Sequence, residues 1–365
     1  MARVLLLEPY GSDSHRTWVE GVSASSHHDV RSVVMAAETW RWRLRAGAIE
    51  LAELALASVA DGWQPDVLLV SSMVNAAALR GQLARTIGAV PMVLYMHESQ
   101  FAFPDHDVTG APRESSEEFA AVNTASMAAA DQIVFNSEHH LSEALDGFKR
   151  LFVGRSSAAP DLSDRLHVVP VGVPLEPLRR RERVVGERPL VLWNHRWDHD
   201  KDPQRFFRAL ESVDDLDWGL AVVGRNERAD PQEFGFARDR FADRIEVWGF
   251  LDRSDYVDLL GRADIAVSTA RHEYFGVAMV EAMAAGAIPV LPNRLSYPEL
   301  VPSEWHADVL YDNGSLSTRL RFVLDDVVYA RDRIAGLAEA VCAHFDVDVV
   351  TPRLDDVLSS VLSCR

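Results

Sequence analysis

Cysteine is nearly absent from this sequence, which holds only Cys342 and Cys364 among its 365 residues. Two thiols build neither a disulfide scaffold nor a cysteine metal site. Long apolar runs are missing as well: none approaches the ~20 residues of a membrane span, and the first apolar run stops at Glu8. We therefore expect a cytoplasmic protein without a membrane segment, and nothing in the sequence points to a protein partner.

Basic residues are also in short supply. The chain has 37 Lys and Arg against 55 Asp and Glu, a formal net charge of −18. Such a chain binds a nucleic acid only through a local basic patch, because phosphate binding depends on Lys and Arg. The two arginine clusters are Arg41, Arg43 and Arg45, interleaved with Trp40 and Trp42, and Arg179, Arg180, Arg181 and Arg183. The first cluster combines charge with stacking surface, so we predict it as the RNA contact, whereas the second lies in a predicted linker.

The length of the chain exceeds what one hydrophobic core usually supports. Short apolar segments alternate with helical ones, which is typical of βαβ units with a parallel sheet covered on both faces. The predicted strands are 4–7, 30–34, 67–70, 92–95, 133–135, 167–169, 190–193, 219–223, 245–248, 265–268 and 287–291, and the predicted helices include 43–60, 74–86, 114–130, 137–150 and 350–363. A proline-rich break at 170–177 divides the chain into domains 1–172 and 173–349, and we expect the helix at 350–365 to join the first.

One segment carries a chemical signal. Glu273 precedes the glycine turn at Gly276, Glu281 lies inside the helix that follows, and Gly286 ends that helix. Amides at a helix start bind phosphate, and carboxylates beside them bind hydroxyl groups, so the pattern indicates a nucleotide-sugar site. Two alternatives remain at this point: an acid/base pair of the glycoside hydrolase kind, or a core helix with incidental glutamates.

The same segment resembles the E-x7-E signature of the family four retaining glycosyltransferases, and a second group of motifs narrows the resemblance. The run from His195 to Pro203 (HRWDHDKDP), the run from Tyr95 to Gln100 (YMHESQ), Phe135-Asn-Ser, the opening run from Glu8 to His15 and the run from Trp40 to Arg45 are similar to the tRNA-queuosine alpha-mannosyltransferases. The resemblance implies an α/β GT-B fold, in which two Rossmann-like, doubly wound parallel-sheet domains face each other across a cleft.

The resemblance also implies roles for individual residues. Arg196 and Lys201 would bind the donor phosphates, Glu281 the ribose and Glu273 the transferred sugar, and His97 would lie near the reacting carbon. The implied catalytic residues are His97, Glu273, Arg196 and Lys201. The implied donor-binding residues are Gly11, Ser12, His195, Arg196, Lys201, Glu273, Tyr274, Phe275, Gly276, Val277 and Glu281. The predicted acceptor or tRNA contacts are His15, Trp40, Trp42, Arg43, Arg45, Glu98 and Gln100.

The activity that follows is transfer of mannose from GDP-mannose to the cyclopentenediol of queuosine in the anticodon loop of tRNA-Asp, with retention of configuration. Domain 1–172 would bind the acceptor and domain 173–349 the donor. We expect no cofactor and no metal, since Asp105-His106-Asp107 and Asp198-His199-Asp200 are patterns that arise by chance in loops. Two alternatives are a GT-B enzyme with a small-molecule or glycan acceptor, and a binding protein without turnover.

Overall fold

The computed structural model describes residues 1–363 apart from 38, 102–115, 154–158, 180–185 and 227–231. The Asp105-His106-Asp107 pattern, Cys364 and three arginines of the second cluster (Arg180, Arg181 and Arg183) lie outside the described residues. The chain divides into two compact units. The N-terminal unit comprises Met1–Pro174 and Val347–Arg365, and the C-terminal unit comprises Leu175–Asp346.

The N-terminal unit is built on a six-stranded parallel sheet with strand order β2-β1-β3-β4-β5-β6. The strands are β1 (Arg3–Gly11), β2 (Asp29–Ala36), β3 (Val67–Ser71), β4 (Met92–Met96), β5 (Gln132–Phe135) and β6 (Leu166–Val168). Every residue of β3 and β4 is buried, because helices cover both faces of a parallel sheet. The apolar runs in the sequence predict these strands for the same reason.

The described residues of this unit include six α-helices. They are α1 (Asp13–Ser25), α2 (Trp40–Ser58), α3 (Ala76–Leu83), α4 (Ser116–Ala129), α5 (Glu138–Leu151) and, at the other end of the chain, α16 (Val347–Ser363). α16 packs against α1. Its buried Asp355 accepts hydrogen bonds from the Ser26 hydroxyl (2.7 Å) and the His27 amide (2.9 Å) just after α1 ends. These bonds fasten the end of the chain to its first helix.

α1 is absent from the helices predicted in the sequence analysis. Asp13 begins the helix and His15 lies in its first turn. The helix buries Trp18, Val19 and Val22 along one stripe. Asp, Ser and His are weak helix formers, so local propensity hides a helix that tertiary packing stabilises.

Arg43 in α2 corrects the sequence analysis, because it is not a surface side chain. It is 1% exposed, and its guanidinium donates to the Ala36 carbonyl at 2.6 Å and lies 3.3 Å from a Glu50 carboxylate oxygen. Arg43 lies on the same helix face as the buried Gly47 and Leu51, one and two turns further on. Arg43 is therefore a structural cation, and its predicted tRNA contact is wrong.

The rest of the Trp-Arg run reaches the surface only in part. Arg45 is exposed but forms a two-pronged ion pair with Glu118, with both distances 2.9 Å. The Trp40 ring packs against Phe119 with centroids 5.0 Å apart. Trp42 is 40% exposed. Trp42 and Arg41 are thus the members of this run that remain open to a partner as contact surface.

The C-terminal unit has a second six-stranded parallel sheet, ordered β12-β11-β10-β7-β8-β9. Its strands are β7 (Leu190–Trp193), β8 (Gly219–Val223), β9 (Ile245–Gly249), β10 (Ile265–Val267), β11 (Ile288–Pro292) and β12 (Leu310–Tyr311). Its helices are α6 (Glu176–Arg179), α7 (Pro203–Glu211), α8 (Gln232–Arg240), α9 (Arg253–Leu260), α10 (Val277–Ala284), α11 (Tyr297–Leu300), α12 (His306–Val309), α13 (Leu316–Asp325), α14 (Val327–Arg333) and α15 (Leu337–Phe345). β12 is absent from the sequence prediction, because two residues are too short to form a recognisable pattern.

No helix in the described part of the chain is both long enough and apolar enough to cross a membrane.

The environment of Arg43 predicts a stability effect. Arg43→Ala leaves the Ala36 carbonyl without its buried donor and should lower the free energy of unfolding by about 2 kcal/mol. Urea unfolding followed by circular dichroism measures this change. Arg41→Ala is the matched control, because Arg41 is exposed on the same helix turn, and it should stay within about 0.5 kcal/mol of the parent. Equal midpoints for the two variants would contradict the structural role.

Candidate active site

The centre of the C-terminal unit's site is a buried lysine after strand β7. A single 3₁₀ turn, His199–Lys201, places Lys201 at 7% exposure. Its ammonium donates to the His272 carbonyl at 2.8 Å and lies 3.2 Å from carboxylate oxygens of both Glu273 and Asp200. The motif after β7 and the motif after β10 therefore meet, as expected for residues at the carboxyl ends of neighbouring parallel strands.

The charges of this cluster support one another. Burial opposes charge on Lys201, but Glu273 and Asp200 outweigh it and raise the pKa of the ammonium. Burial likewise opposes ionisation of Glu273, but Lys201 lowers the pKa of that carboxyl. Both groups are charged at neutral pH. Arg196 lies at the rim with its side chain half exposed, 3.8 Å from Asp200, so Asp200 is a member of the site that the sequence analysis did not identify.

The glycine turn after Glu273 leads directly into α10. Gly276 has a φ of 110°, a conformation that favours glycine, and no side chain caps the helix start. The Ser296 hydroxyl donates to the Phe275 carbonyl at 2.8 Å and holds the turn. Val277 is partly exposed, whereas the Tyr274 and Phe275 side chains are buried in the unit. The first amides of α10 thus form a small electropositive surface.

Glu281 is held by an arginine on α9, whereas Glu273 is held by Lys201. The Glu281 carboxylate is buried and lies 2.5 Å from an Arg253 nitrogen. Burial raises the pKa of Glu281, and Arg253 opposes that rise only in part. The Asn194 amide donates to the Tyr256 hydroxyl at 2.8 Å and to the Ala278 carbonyl at 3.1 Å, which joins the end of β7 to α9 and α10. Arg253 and Tyr256 carry no sequence signal, since they become neighbours of Glu281 only through folding.

His195 is buried and lies within electrostatic reach of Lys201 and Glu273. Burial, helped by the charge of Lys201, lowers the pKa of His195 to about 4, so the ring is neutral. Its Nε2 has no hydrogen-bond partner within the described part of the chain. Gly224 packs directly on this segment, because a Cβ at Gly224 would lie 1.8 Å from the His195 carbonyl oxygen. That close approach requires glycine.

In the N-terminal unit, His97 follows β4 directly and is surrounded by rings. Trp18, His15 and Tyr95 lie 4.5, 4.6 and 4.6 Å away between centroids. The His97 carbonyl accepts from the Asn136 amide at 3.0 Å. Burial, followed by the charge of His15, lowers the pKa of His97 well below its ordinary value. Among described residues its Nε2 has no partner, so His97 is a neutral imidazole with one open nitrogen.

Glu8 supports this histidine indirectly, and the sequence analysis assigns it no role. Its buried carboxylate lies 3.0 Å from Nδ1 of His15, and its other oxygen accepts from the Tyr10 amide. Burial disfavours a charged His15, but Glu8 and more distantly Glu98 outweigh burial and raise the pKa of His15. His15 is therefore a buried imidazole against His97 whose protonated form Glu8 favours, and its acceptor contact stays a prediction.

The other predicted contacts of this unit lie close by. Gly11 ends β1, and a Cβ there would lie 2.5 Å from the Met35 carbonyl oxygen. Ser12 precedes α1 without capping it. The Glu98 amide faces the Ser72 hydroxyl at 3.3 Å, and its side chain is partly exposed. Gln100 is buried, with its amide donating to Asn123 at 2.7 Å.

Two groups of described side chains have metal-ligand chemistry. One is Glu8, His15 and His97, and the other is His27, His28 and Asp355. The second group is occupied by internal hydrogen bonds, since His28 accepts from the Ala2 amide and its other nitrogen contacts the Asp355 carbonyl. Asp200 of the Asp198-His199-Asp200 pattern lies against Lys201.

Comparison with solved structures shows the fold, and a family match adds the class of the C-terminal unit. Sucrose-phosphate synthase from Thermosynechococcus elongatus superimposes with a TM-score of 0.74 at 16% identity, covering 100% of both chains. Residues 176–334 match the family model for glycosyl transferases group 1. Two Rossmann-like units, with a lysine–glutamate pair beside an uncapped helix start, define a glycosyltransferase of the GT-B fold.

The N-terminal unit gives a more specific similarity. Residues 3–172 match the family model described as tRNA-queuosine alpha-mannosyltransferase N-terminal. The chain is 29% identical over 323 residues to the tRNA-queuosine alpha-mannosyltransferase of Drosophila melanogaster, covering 82% of each chain. It is 26% identical over 320 residues to a GDP-mannose-dependent alpha-(1-6)-phosphatidylinositol dimannoside mannosyltransferase of Mycobacterium tuberculosis, covering 79% of this chain and 78% of the relative. The N-terminal unit is therefore similar to the tRNA-queuosine alpha-mannosyltransferases, and the C-terminal unit to the group 1 glycosyl transferases.

The Glu8–His15 pair predicts a titration result. In Glu8→Gln the charge that outweighs burial is lost, so the pKa of His15 should fall, as measured by NMR of the histidine ring protons. His167 on β6 is the internal control, because burial beside Gln132 sets its environment and its titration should not move.

The same pair fixes the direction of a pH effect on stability. The pKa of folded His15 lies above the reference value of 6.5, so the pair stabilises the fold below that pH and the contribution is lost as pH rises through the raised pKa. The difference in stability between the parent and Glu8→Gln should therefore be larger at about pH 6 than at about pH 9. A difference that grows with pH would contradict the assignment.

Proposed function

We propose that this protein transfers mannose from GDP-mannose to the cyclopentenediol of queuosine in tRNA-Asp, with retention of configuration, in the cytoplasm. The observation that carries the proposal is the buried Lys201–Glu273 ion pair beside the uncapped start of α10. The names of the relatives in fruit fly and Mycobacterium supply mannose as the sugar, and the family match of residues 3–172 supplies queuosine tRNA as the acceptor.

The donor diphosphate would lie against the first amides of α10. Those amides carry the positive end of the helix dipole and are not capped by a side chain. Lys201 adds a buried positive charge and Arg196 a half-exposed guanidinium suited to two phosphate oxygens. These groups would neutralise the charge that develops on the departing GDP, so we propose that no metal ion takes part.

The two glutamates would bind hydroxyl groups. Glu273 is ionised and fixed by Lys201, so it can accept a hydrogen bond from a hydroxyl of the transferred sugar. Glu281 is fixed by Arg253 on α9 and would hold the ribose. Separate cationic partners for the two carboxylates favour binding roles over the acid/base pair of a glycosidase, where one carboxylic acid donates a proton.

The transfer exchanges one bond for another at the anomeric carbon. Its bond to the diphosphate oxygen breaks, a bond to an oxygen of the cyclopentenediol forms, and the acceptor proton leaves on a phosphate oxygen of GDP. The protein aligns the reactants and stabilises the leaving charge. The neutral His97 with its open Nε2 suits a hydroxyl group as partner, and we assign it to the sugar.

The proposal is tested by mixing the protein with queuosine-containing tRNA and GDP-mannose, UDP-glucose, UDP-galactose or ADP-glucose, digesting the tRNA and weighing its nucleosides. A hexose on queuosine only with GDP-mannose is the expected result. Transcribed tRNA of the same sequence, which lacks queuosine, is the control and should gain no hexose. A second reaction containing phosphatidylinositol dimannoside tests the lipid in the name of the Mycobacterium relative. Mannose on that lipid and none on tRNA would refute the proposal.

A substitution of Glu273 should affect the transfer rate much more than the affinity for GDP. Glu273→Gln keeps the shape of the side chain but removes the charge that pairs with Lys201, so transfer should slow by about 100-fold or more while GDP affinity stays within about threefold. Steady-state kinetics and calorimetry measure the two quantities. Glu304→Gln, an exposed glutamate of the same unit, should change neither. Unimpaired transfer by Glu273→Gln would remove this residue from the site.

A further inference from the structure

The C-terminal unit contains a cavity of about 480 Å³ that the donor site does not use. It lies between the start of α7 and the loop that precedes α13, two helices that pack against each other. Its lining includes three arginines, Arg205, Arg208 and Arg271, with Asp202 as its acidic member. We call this cavity the arginine groove. Its volume is within the range of about 300–1,000 Å³ that ligand pockets occupy.

The charges in the groove are not balanced internally. Asp202 forms an ion pair of 2.8 Å with Arg271, whose side chain is 65% exposed. Arg205 lies over the ring of Tyr311, with its guanidinium carbon 5.4 Å from the ring centroid. Arg208 is exposed, and within the described ranges it forms no hydrogen bond or ion pair. Two positive charges therefore remain in a chain whose formal net charge is −18.

Other features of the groove suit a ligand with several phosphate groups in a row. Asn313 lines it and is held by Arg294, whose guanidinium donates to the Asn313 side-chain oxygen at 3.1 Å. Asp202 at the start of α7 does not cap the helix, because its carboxylate is directed to Arg271. Arg205 and Arg208 are three residues apart on α7, about 4.5 Å along the helix axis. Repeated cations along a rim suit successive phosphates better than a single anion.

The position of the groove separates it from the nucleoside end of the donor. Glu281, which would hold the ribose, is fixed by α9, and α9 follows β9 at one edge of the sheet. The groove residues follow β7, β10 and β12, and β12 is the opposite edge. Arg271 connects the two regions, since its amide donates to the Asp200 carbonyl at 2.7 Å, two residues before Glu273. The groove therefore adjoins the site at Asp200 and Glu273, on the side of the sheet away from α9.

We propose that the arginine groove binds the phosphodiester backbone of the tRNA acceptor. This inference rests on the proposed function, and it supplies a basic surface in place of the one lost when Arg43 proved to be buried. Backbone contacts of this kind position an RNA without reading its bases. They also make the affinity depend on salt, because each neutralised phosphate releases counterions.

Arg208→Glu is the direct test, with Arg238→Glu as the matched control. Arg238 is an exposed arginine on α8 of the same unit, and like Arg208 it has no partner among the residues described. Binding of fluorescein-labelled, queuosine-containing tRNA is followed by anisotropy between about 50 and 200 mM salt. Arg208→Glu should weaken tRNA binding about tenfold and reduce the salt slope by about one, whereas Arg238→Glu should change affinity less than twofold. GDP affinity, measured by calorimetry, should be the same in both variants.

The outcomes are distinguishable. Equal tRNA affinities for Arg208→Glu and Arg238→Glu would overturn the inference while leaving mannose transfer intact. An equal loss of GDP and tRNA affinity in Arg208→Glu would also overturn it, by assigning the groove to the donor. Failure of the parent protein to bind tRNA, despite binding GDP-mannose, would refute the proposed function itself. Arg208→Gln removes the charge without adding another, and its smaller loss of affinity in a folded protein would support the inference if Arg208→Glu proved unstable.

Discussion

Burial of the Lys201 ammonium is the constraint on which the C-terminal unit's site depends. A lone buried cation is strongly unfavourable, so the fold has to bring carboxylates to it. Glu273 and Asp200 meet that requirement from two directions, each 3.2 Å away. The segment after β7 and the turn before α10 are thereby fixed to each other. The helix start, which no side chain caps, is held in place by this ion cluster.

The N-terminal unit also buries ionisable side chains next to one another. Glu8 raises the pKa of the buried His15, whereas burial, with His15 as a second cause, lowers the pKa of its neighbour His97. The pKa values of two adjacent imidazoles thus move in opposite directions, and Glu8 contacts His15. A neutral ring with an open nitrogen can accept or donate a single hydrogen bond to a hydroxyl group, which is a useful property beside a sugar.

The acidic composition limits how this protein can bind a polyanion. Many arginines in the described part of the chain bind carboxylates or carbonyls, as Arg45 binds Glu118 and Arg43 the Ala36 carbonyl. The proposed RNA binding would therefore depend on cations, such as Arg208, that have no carboxylate partner among the described residues. The arginine groove concentrates such cations near the end of the sheet where the chemistry would take place.

The sequence by itself determined the alternation of strands and helices and the pairing of the Glu273 and Lys201 motifs. Continuous apolar runs and the residues that follow them are patterns along the chain, so they can be recognised from the sequence without a structure. Tertiary structure alone decided that Arg43 lies inside, that Glu8 raises the pKa of His15, and that Arg253 and Tyr256 lie beside Glu281. Each of those depends on which face a helix buries or which distant segments meet. An arginine beside a tryptophan looks the same in sequence whether its helix turns it to water or to the core.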